Sequence, residues 1–186
     1  MATGRVGVTI WGPGNEVSGM TKEILVAYAT KHESTEEVAR AIANRLQVLG
    51  HRAELRPARE VETLGDYDGV VLGGALYAGR WHRHARRFLS RHRDELSMRP
   101  FAVFAMGPLT LDVDAVAGSR TQLDRALAGE PYLEPVAVAV FGGVIDPSKL
   151  RFPFNRMART DARDWDAIRY WTDEVAGLIE HRRIPA

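Results

Sequence analysis

Cysteine is absent from this sequence of 186 residues. That absence excludes disulfides, thiolate zinc sites and cysteine nucleophiles, and it fits the reducing cytoplasm. No apolar run reaches the roughly eighteen residues of a membrane-spanning helix, and the N-terminus lacks the apolar core of a secretory signal. Lysine and arginine number 25 against 24 acidic residues, and the net charge of +1 is too small to indicate nucleic acid as a partner. We therefore expect a cytoplasmic protein.

Residues 1–19 are rich in glycine and show no sustained hydrophobic period. We interpret them as an N-terminal extension outside the core, followed by a single domain over residues 20–186. The alternative is a short strand at residues 6–10, packed on the body of the domain. The composition, 45% apolar and 26% charged, is that of a globular protein.

Five short segments with the character of strands alternate with helical patterns along the rest of the chain. Most are apolar at every position, which is typical of strands buried on both faces of a parallel sheet. Crossovers of this kind place helices on both faces. We predict a doubly wound α/β fold with strand order 2-1-3-4-5 and a ligand site at the carboxyl ends of the strands, near the switch between strands 1 and 3. The predicted strands are residues 23–29, 53–56, 68–74, 101–106 and 135–141, and the predicted helices are residues 34–49, 83–96, 116–127 and 165–179.

The loop after the first strand carries three hydroxyls, at Thr30, Ser34 and Thr35. Ser34, with Glu37 three residues later, has the pattern of a capping box at a helix start, and Gly50 is placed to end that helix. Hydroxyls and free backbone N–H groups at a helix N-terminus bind phosphate. The loop is therefore a candidate phosphate site, and the alternative is that Ser34 only caps the helix.

Three segments resemble a known family. Residues 24–39, which hold the first strand, this loop and the helix start, resemble the opening of flavodoxins. Residues 71–81 resemble the corresponding loop of the quinone-dependent protoporphyrinogen oxidases with a flavodoxin domain, and residues 141–143 followed by 149–159 are similar to the same group. The resemblance covers roughly residues 22–182 and implies a flavodoxin-like fold with FMN as the cofactor.

The resemblance also implies where FMN would bind. One loop would hold the phosphate and two others the ring. Tyr77 and Trp81 are the aromatic candidates to stack on the ring, or else they are packed surface rings. The implied binding residues are Thr30, Lys31, His32, Glu33, Ser34 and Thr35 for the phosphate, and Ala75, Leu76, Tyr77, Ala78, Gly79, Trp81, Met106, Gly107 and Pro108 for the ring.

Glu33 departs from the family pattern, which usually has glycine at this position. A carboxylate repels a phosphate dianion unless it points to solvent or to Lys31. Glu36 and Glu37 add negative charge to a helix start that should attract an anion. The departure predicts weaker FMN binding than is usual, or a preference for a related flavin such as a deazaflavin.

By the same resemblance, the function is that of an FMN-dependent oxidoreductase. It would pass electrons from a reduced small molecule, such as the heme-biosynthesis intermediate protoporphyrinogen IX, through the flavin to a quinone. Two alternatives stay open: a flavodoxin-type electron-transfer protein, although such carriers are typically strongly acidic, and a flavin-free interaction module on the same fold. No catalytic residue is identified and the oligomeric state is not predicted.

Arginines and histidines crowd residues 80–93. They form either a solvated helix face or a basic rim that meets a carboxylate-bearing substrate. No metal site is expected, because His82 and His84 are two apart and point to different sides of a helix.

Residues 149–159 contain cations and apolar rings but no acid. A peripheral contact with an anionic membrane face is one interpretation, and packing of the rings under the last helix is the other. The residues concerned are Lys149, Arg151, Phe152, Phe154, Arg156 and Arg159.

Overall fold

The computed structural model describes residues 21–30, 33–77, 80–107, 112–145, 156 and 159–181, without the side chains of Tyr77 and Ile145. Residues 1–20, including the alternative strand at 6–10, lie outside these ranges. Along the chain the elements are β1 Glu23–Ala29, α1 Glu33–Val48, β2 Arg52–Pro57, the 3-10 turn η1 Ala58–Glu60, β3 Gly69–Tyr77, β4 Arg80–Trp81, α2 Arg83–Arg91, α3 Arg93–Ser97, β5 Phe101–Met106, α4 Val113–Leu127, β6 Ala137–Phe141, β7 Val144–Ile145, β8 Thr160–Asp161 and α5 Trp165–His181.

The five long strands form a parallel sheet in the order β2-β1-β3-β5-β6. This confirms the predicted α/β fold and the order 2-1-3-4-5. Two short additions were not predicted: β4 pairs antiparallel with β3, and β7 pairs antiparallel with β8. The strands β4, β7 and β8 have two residues each, which is too short to produce a periodic pattern.

Helices cover both faces of the sheet and bury one apolar cluster on each side. The first cluster joins α1 and α5 to strand residues such as Phe104. The second joins α2 and α4 to the other face and includes Trp81 and Phe88. The central strand β5 is buried at every position, as the continuous apolar pattern predicted. None of the helices within the described ranges is long and apolar enough to cross a membrane.

An ion pair and a glycine contact fix the last helix on the sheet. Arg45 of α1 donates two hydrogen bonds to Asp173 of α5, over 2.6 and 2.8 Å, and these bonds lower the pKa of Asp173. At the start of β3, a Cβ on Gly69 would lie 2.9 Å from the side chain of Ile179. The absent side chain therefore lets α5 approach the strand closely.

Gly50 ends α1 as predicted. Its φ of 95° is the left-handed conformation that glycine adopts without strain. The N–H of Gly50 donates to the carbonyl of Gln47 over 3.0 Å, and that of His51 donates to Leu46 over 3.1 Å. This pair of bonds is a Schellman motif and satisfies carbonyls at the helix end.

Two sequence predictions about helix ends are wrong. First, α1 already includes Glu33, so Ser34 lies in its first turn and does not precede it. Second, the helix predicted over residues 83–96 is two helices, α2 and α3, which are separated at His92. The His92 backbone leaves helical geometry at φ −105° and ψ 21°, and its buried ring has Nδ1 2.7 Å from Glu95 Oε2.

The bond to His92 belongs to a small network around Glu95. Burial of Glu95 opposes its ionisation, but hydrogen bonds from His92, the Leu64 N–H and the Thr63 hydroxyl outweigh it. The pKa of Glu95 is therefore below its ordinary value in the folded protein.

Candidate functional site

The carboxyl ends of β1, β3 and β5 meet at one edge of the sheet. Ala29 is in register with Gly74, and Ala75 with Met106. The segments that follow these strands therefore start side by side, as expected at the switch point of a doubly wound sheet. The structure brings together the starts of the three loops predicted to form the site.

A cavity of about 210 Å³ lies at this edge, beside the start of α1. We call it the phosphate-loop cavity. Thr30 and Glu33, both predicted site residues, line it. Three elements that the sequence prediction did not include also contribute: the end of β2, η1 and the first turn of α2. The full lining is Tyr28, Ala29, Thr30, Glu33, Glu36, Pro57, Arg59 and His84.

Thr35 has a buried hydroxyl in the first turn of α1. Its residue is 0% exposed, and Oγ1 has no hydrogen-bond partner among the described residues. Leaving a buried hydroxyl unpaired costs about 1–3 kcal/mol. A hydrogen-bond acceptor bound at the helix start would satisfy this hydroxyl, and it would also accept hydrogen bonds from nearby Ser34 and from the backbone N–H groups. Lys31 and His32 of the same predicted loop lie outside the described residues.

Glu36 and Glu37, near the start of α1, each pair with an arginine. Glu36 accepts a hydrogen bond from Arg40 over 2.8 Å. Glu37 accepts one from Arg163, whose side chain is 10% exposed. Burial and Glu36 together raise the pKa of Tyr28, so this hydroxyl stays protonated beside the cavity. The helix start therefore repels an anion less strongly than its three acidic residues alone would indicate.

Arg163 also fixes the segment that follows the sheet. Its Nη2 lies 2.5 Å from Oδ2 of Asp161, and its guanidinium stacks 4.7 Å from the ring centroid of Trp165. The bonds to Asp161, followed by the bond to Glu37, raise the pKa of Arg163, and the same contact lowers the pKa of Asp161. The guanidinium of Arg163 thus connects the β7–β8 pair to α1.

Trp81, predicted as a stacking residue, lies in the core. It is 1% exposed, and a Cβ on Gly74 would lie 2.4 Å from its Nε1. The indole therefore packs on bare strand backbone beneath the edge, and this burial contradicts the prediction that it stacks on a flavin ring. Pairing of Leu76 with Trp81 across β3 and β4 fixes this position.

The other predicted ring residues divide into two groups. Ala75 and Met106 are 7% and 4% exposed, so their side chains belong to the core at the edge of the sheet. Gly107 donates its N–H to the carbonyl of Phe141 over 2.8 Å, which joins the ends of β5 and β6. The side chain of Tyr77 and the whole of Ala78, Gly79 and Pro108 lie outside the described residues.

A larger cavity of about 530 Å³ lies between η1 and α2. We call it the basic groove. It shares Arg59 and His84 with the phosphate-loop cavity. Burial, followed by Arg83, Arg59 and Arg87, lowers the pKa of His84. The remaining residues of the groove are Ala58, Phe88, Ser90, Arg87 and Arg91.

Only some of the residues that line the basic groove could have been grouped together from the sequence. Arg87 and Arg91 are four apart and fall on one helix face, so their clustering could have been predicted from spacing. Arg59 belongs to a separate element, and nothing in the sequence relates it to α2. Within the described ranges, no group of three or more histidines and acids could hold a metal ion.

Comparison with known proteins gives one family and several distant relatives. A family model described as "Flavodoxin domain" matches residues 25–160. The protoporphyrinogen IX dehydrogenase [quinone] of Escherichia coli strain K12 is 22% identical over 173 residues, covering 84% of this chain and 96% of that protein. A protein of the same name from Leishmania major is 22% identical over 182 residues, covering 87% and 78%. Among solved structures, oxidised flavodoxin 2 from Bacillus cereus matches with a TM-score of 0.56 at 22% identity, covering 84% of this chain and 99% of that one.

Proposed function

The chain belongs to the flavodoxin domain family, and from that premise we propose that it binds FMN at the carboxyl edge of the sheet and acts as a flavin-dependent oxidoreductase. The order of the strands and the helix start beside β1 support this proposal, because flat cofactors with phosphate groups bind at such switch points. A bound flavin supplies the electron or hydride chemistry.

The observation that carries the proposal is the unpaired hydroxyl of Thr35. It is fully buried at the N-terminus of a helix of 16 residues, where a phosphate oxygen would accept its hydrogen bond. Thr30 lines the phosphate-loop cavity beside this helix start, and Arg59 adds a positive charge to its lining. Glu33 opposes the phosphate from the same lining, so the site fits the cofactor with a reduced affinity.

Thr35→Val tests this assignment because it removes the hydroxyl and keeps the shape. We expect the FMN-free variant to be at least as stable as the wild type, since an unpaired buried hydroxyl is lost. We expect its FMN affinity, measured by quenching of flavin fluorescence, to fall by about fivefold or more, the loss of one hydrogen bond to a charged group.

Thr172→Val is the matched control. Thr172 of α5 is also 0% exposed on a helix, but its hydroxyl donates to the Ile168 carbonyl over 2.7 Å, and it lines neither cavity. It should lose about 1 kcal/mol of stability and keep wild-type FMN affinity. Equal FMN affinity in Thr35→Val and wild type would remove Thr35 from the site, and absence of saturable binding at high micromolar FMN would refute the proposal.

We further propose that the electron donor is a reduced tetrapyrrole and the acceptor a quinone. Two relatives that align over most of this chain carry the name protoporphyrinogen IX dehydrogenase [quinone]. The basic face of α2 supports a substrate with carboxylates. An anaerobic assay with protoporphyrinogen and menadione, run with and without FMN loading, tests the proposal. Oxidation at the uncatalysed rate by the FMN-loaded protein would favour an electron-transfer protein instead.

A further inference from the structure

We propose that the basic groove binds the carboxylates of the electron-donating substrate, and that Arg87 and Arg91 select a substrate whose acidic groups are carried on extended arms. The inference rests on the proposed function, because it takes FMN to bind at the carboxyl edge with its phosphate in the phosphate-loop cavity. It adds to that function the residues that recognise the substrate and the shape that the substrate needs.

The lining of the two cavities leaves part of the groove to a second molecule. Arg59 and His84 line both cavities, so the groove adjoins the position proposed for the FMN phosphate. Arg87, Ser90 and Arg91 line the groove but not the phosphate-loop cavity. Arg59 can therefore stay beside the phosphate while the two arginines of α2 bind the substrate.

Positive charge in the groove is not compensated by acids. The described residues that line it include three arginines and no carboxylate. Arg59 lies 3.0 Å from Glu60, whereas no carboxylate in the described part of the chain pairs with Arg87 or Arg91. A guanidinium group binds a carboxylate through two parallel hydrogen bonds. A substrate acid that enters the groove thus meets two arginines that are available for pairing.

The direction of α2 sets the distance that a substrate carboxylate has to span. The helix starts at the carboxyl edge, where the His82 N–H donates to the Ala75 carbonyl of β3 over 3.0 Å. Because an α-helix rises about 1.5 Å per residue, Arg87 and Arg91 lie about 6 and about 12 Å along the axis from Arg83. An acid attached directly to the reacting ring would stay at the edge. The groove therefore favours carboxylates on arms of several atoms, such as the propionate groups of a tetrapyrrole.

The floor of the groove fits the apolar part of such an arm. Phe88 is 2% exposed and Ala58 is 5% exposed, so both belong to the core and present a fixed apolar surface beside the arginines. The methylene groups of a propionate can contact this floor while its carboxylate binds a guanidinium group.

Binding of protoporphyrin IX and of its dimethyl ester tests the proposal without turnover. The two probes share one ring system, and the ester lacks both carboxylate charges. We expect the FMN-loaded wild type to bind protoporphyrin IX about tenfold or more tightly than the ester, measured by the change in porphyrin absorbance. Equal affinities for the two probes, or binding of neither, would overturn the proposal.

The double variant Arg87→Ala, Arg91→Ala should lose the preference for the free acid and keep its FMN affinity within about twofold. Both arginines are exposed on α2, so the variant should fold normally, which circular dichroism would verify. Arg87→Lys, Arg91→Lys should recover part of the preference, because lysine keeps the charge and lacks the two-pronged geometry of arginine.

The matched control is Arg86→Ala, Arg125→Ala, which removes the same charge from exposed positions that line neither cavity. It should keep the wild-type preference for protoporphyrin IX. An equal loss of preference in both alanine double variants would show a general charge effect and overturn the subsite.

Steady-state oxidation of protoporphyrinogen with menadione gives a second readout. In the FMN-loaded Arg87→Ala, Arg91→Ala variant we expect KM to rise by about tenfold or more and kcat to stay within about threefold, because the arginines bind the substrate and the transition state alike. A lower kcat at unchanged KM would contradict a role in substrate binding.

The FMN titration separates this proposal from the proposed function. If the wild type binds FMN and shows no preference for the free acid, the subsite is refuted and the flavin site stands. If the protein prefers protoporphyrin IX to the ester and binds no FMN, the proposed function is refuted and the groove keeps its assignment.

The His84 ring gives an independent readout of occupancy. Burial, followed by Arg83, Arg59 and Arg87, lowers the pKa of His84, and Tyr28, Glu33 and Glu36 line the adjoining cavity. A carboxylate bound to Arg87 offsets this positive charge, so protoporphyrin IX should raise the pKa of His84 in FMN-loaded protein and the ester should not. NMR titration measures the pKa, with His84→Gln to assign the resonance. The same pKa with and without protoporphyrin IX would contradict the proposed placement of the carboxylates.

Discussion

Gly73→Ala should destabilise the domain through one contact in the centre of the sheet. Gly73 lies in β3 between β1 and β5, in register with Tyr28 on one side and Phe104 on the other. A Cβ at this position would lie 2.1 Å from Cζ of Phe104 and 2.4 Å from its Cε1. Carbon atoms need about 3.5 Å, so the ring would have to shift by more than about 1 Å.

The Phe104 ring has no free space for that shift. It is 0% exposed and packs against Phe141 and Trp171, with ring centroids 5.8 and 6.1 Å away. Overpacking of this kind costs about 1–3 kcal/mol. The lower entropy of the unfolded alanine chain offsets about 0.4–1 kcal/mol of it. We expect a net loss of about 1–2 kcal/mol, which corresponds to a Tm lower by about 2–8 °C for a domain of this size.

Urea unfolding followed by tryptophan fluorescence would measure the loss. Gly118→Ala in α4 and Gly177→Ala in α5 are matched controls, because a Cβ at either position meets nothing within 4 Å. Both should gain about 0.5–1 kcal/mol from helix propensity. The double variant Gly73→Ala, Phe104→Leu should recover part of the loss. Wild-type stability in Gly73→Ala would refute the steric reasoning.

Three further predictions concern charge. Glu33→Gln should tighten FMN binding several-fold in the same fluorescence titration, because it removes one carboxylate near the phosphate at a partly screened surface; unchanged affinity would mean that Glu33 points away. The free energy of unfolding should fall as the pH drops below about 5, because three carboxylates have lowered pKa values in the folded protein and bind fewer protons there than in the unfolded chain. The same free energy of unfolding in urea at pH 7 and pH 3 would contradict this. The carboxylates are Glu95, Asp161 and Asp173. Residues 149–159 should mediate binding to anionic liposomes, and both high salt and the Phe152→Ser, Phe154→Ser variant should abolish this binding. Equal recovery of the protein in the supernatant with neutral and with anionic vesicles would refute the membrane interpretation.

The sheet could be predicted because burial on both faces leaves a direct mark in the sequence. β1, β3 and β5 are continuous apolar runs, and their alternation with helices restricts the topology to few orders. The break at His92 left no such mark. It depends on a buried ring that contacts Phe88 at 4.8 Å and bonds Glu95, and neither contact follows from helical periodicity.

The candidate site divides in the same way. Thr30, Glu33 and Thr35 are close in sequence, so their grouping at a helix start could be predicted from the loop alone. Arg59 and His84 reach the phosphate-loop cavity from η1 and α2, and only the tertiary fold brings these two elements together. Trp81 was misplaced because its burial depends on Gly74, whose missing side chain makes room for the indole.

The position of α5 has a consequence for synthesis on the ribosome. This helix supplies Ile168, Trp171, Val175 and Ile179 to the cluster that covers one face of the sheet. Until it has emerged, strands that are already complete expose Phe104 and the rest of that face to water. A nascent chain in this state offers an apolar surface to chaperones and to other nascent chains. A stop codon before Trp165 should therefore give a product that aggregates, although all five parallel strands are present.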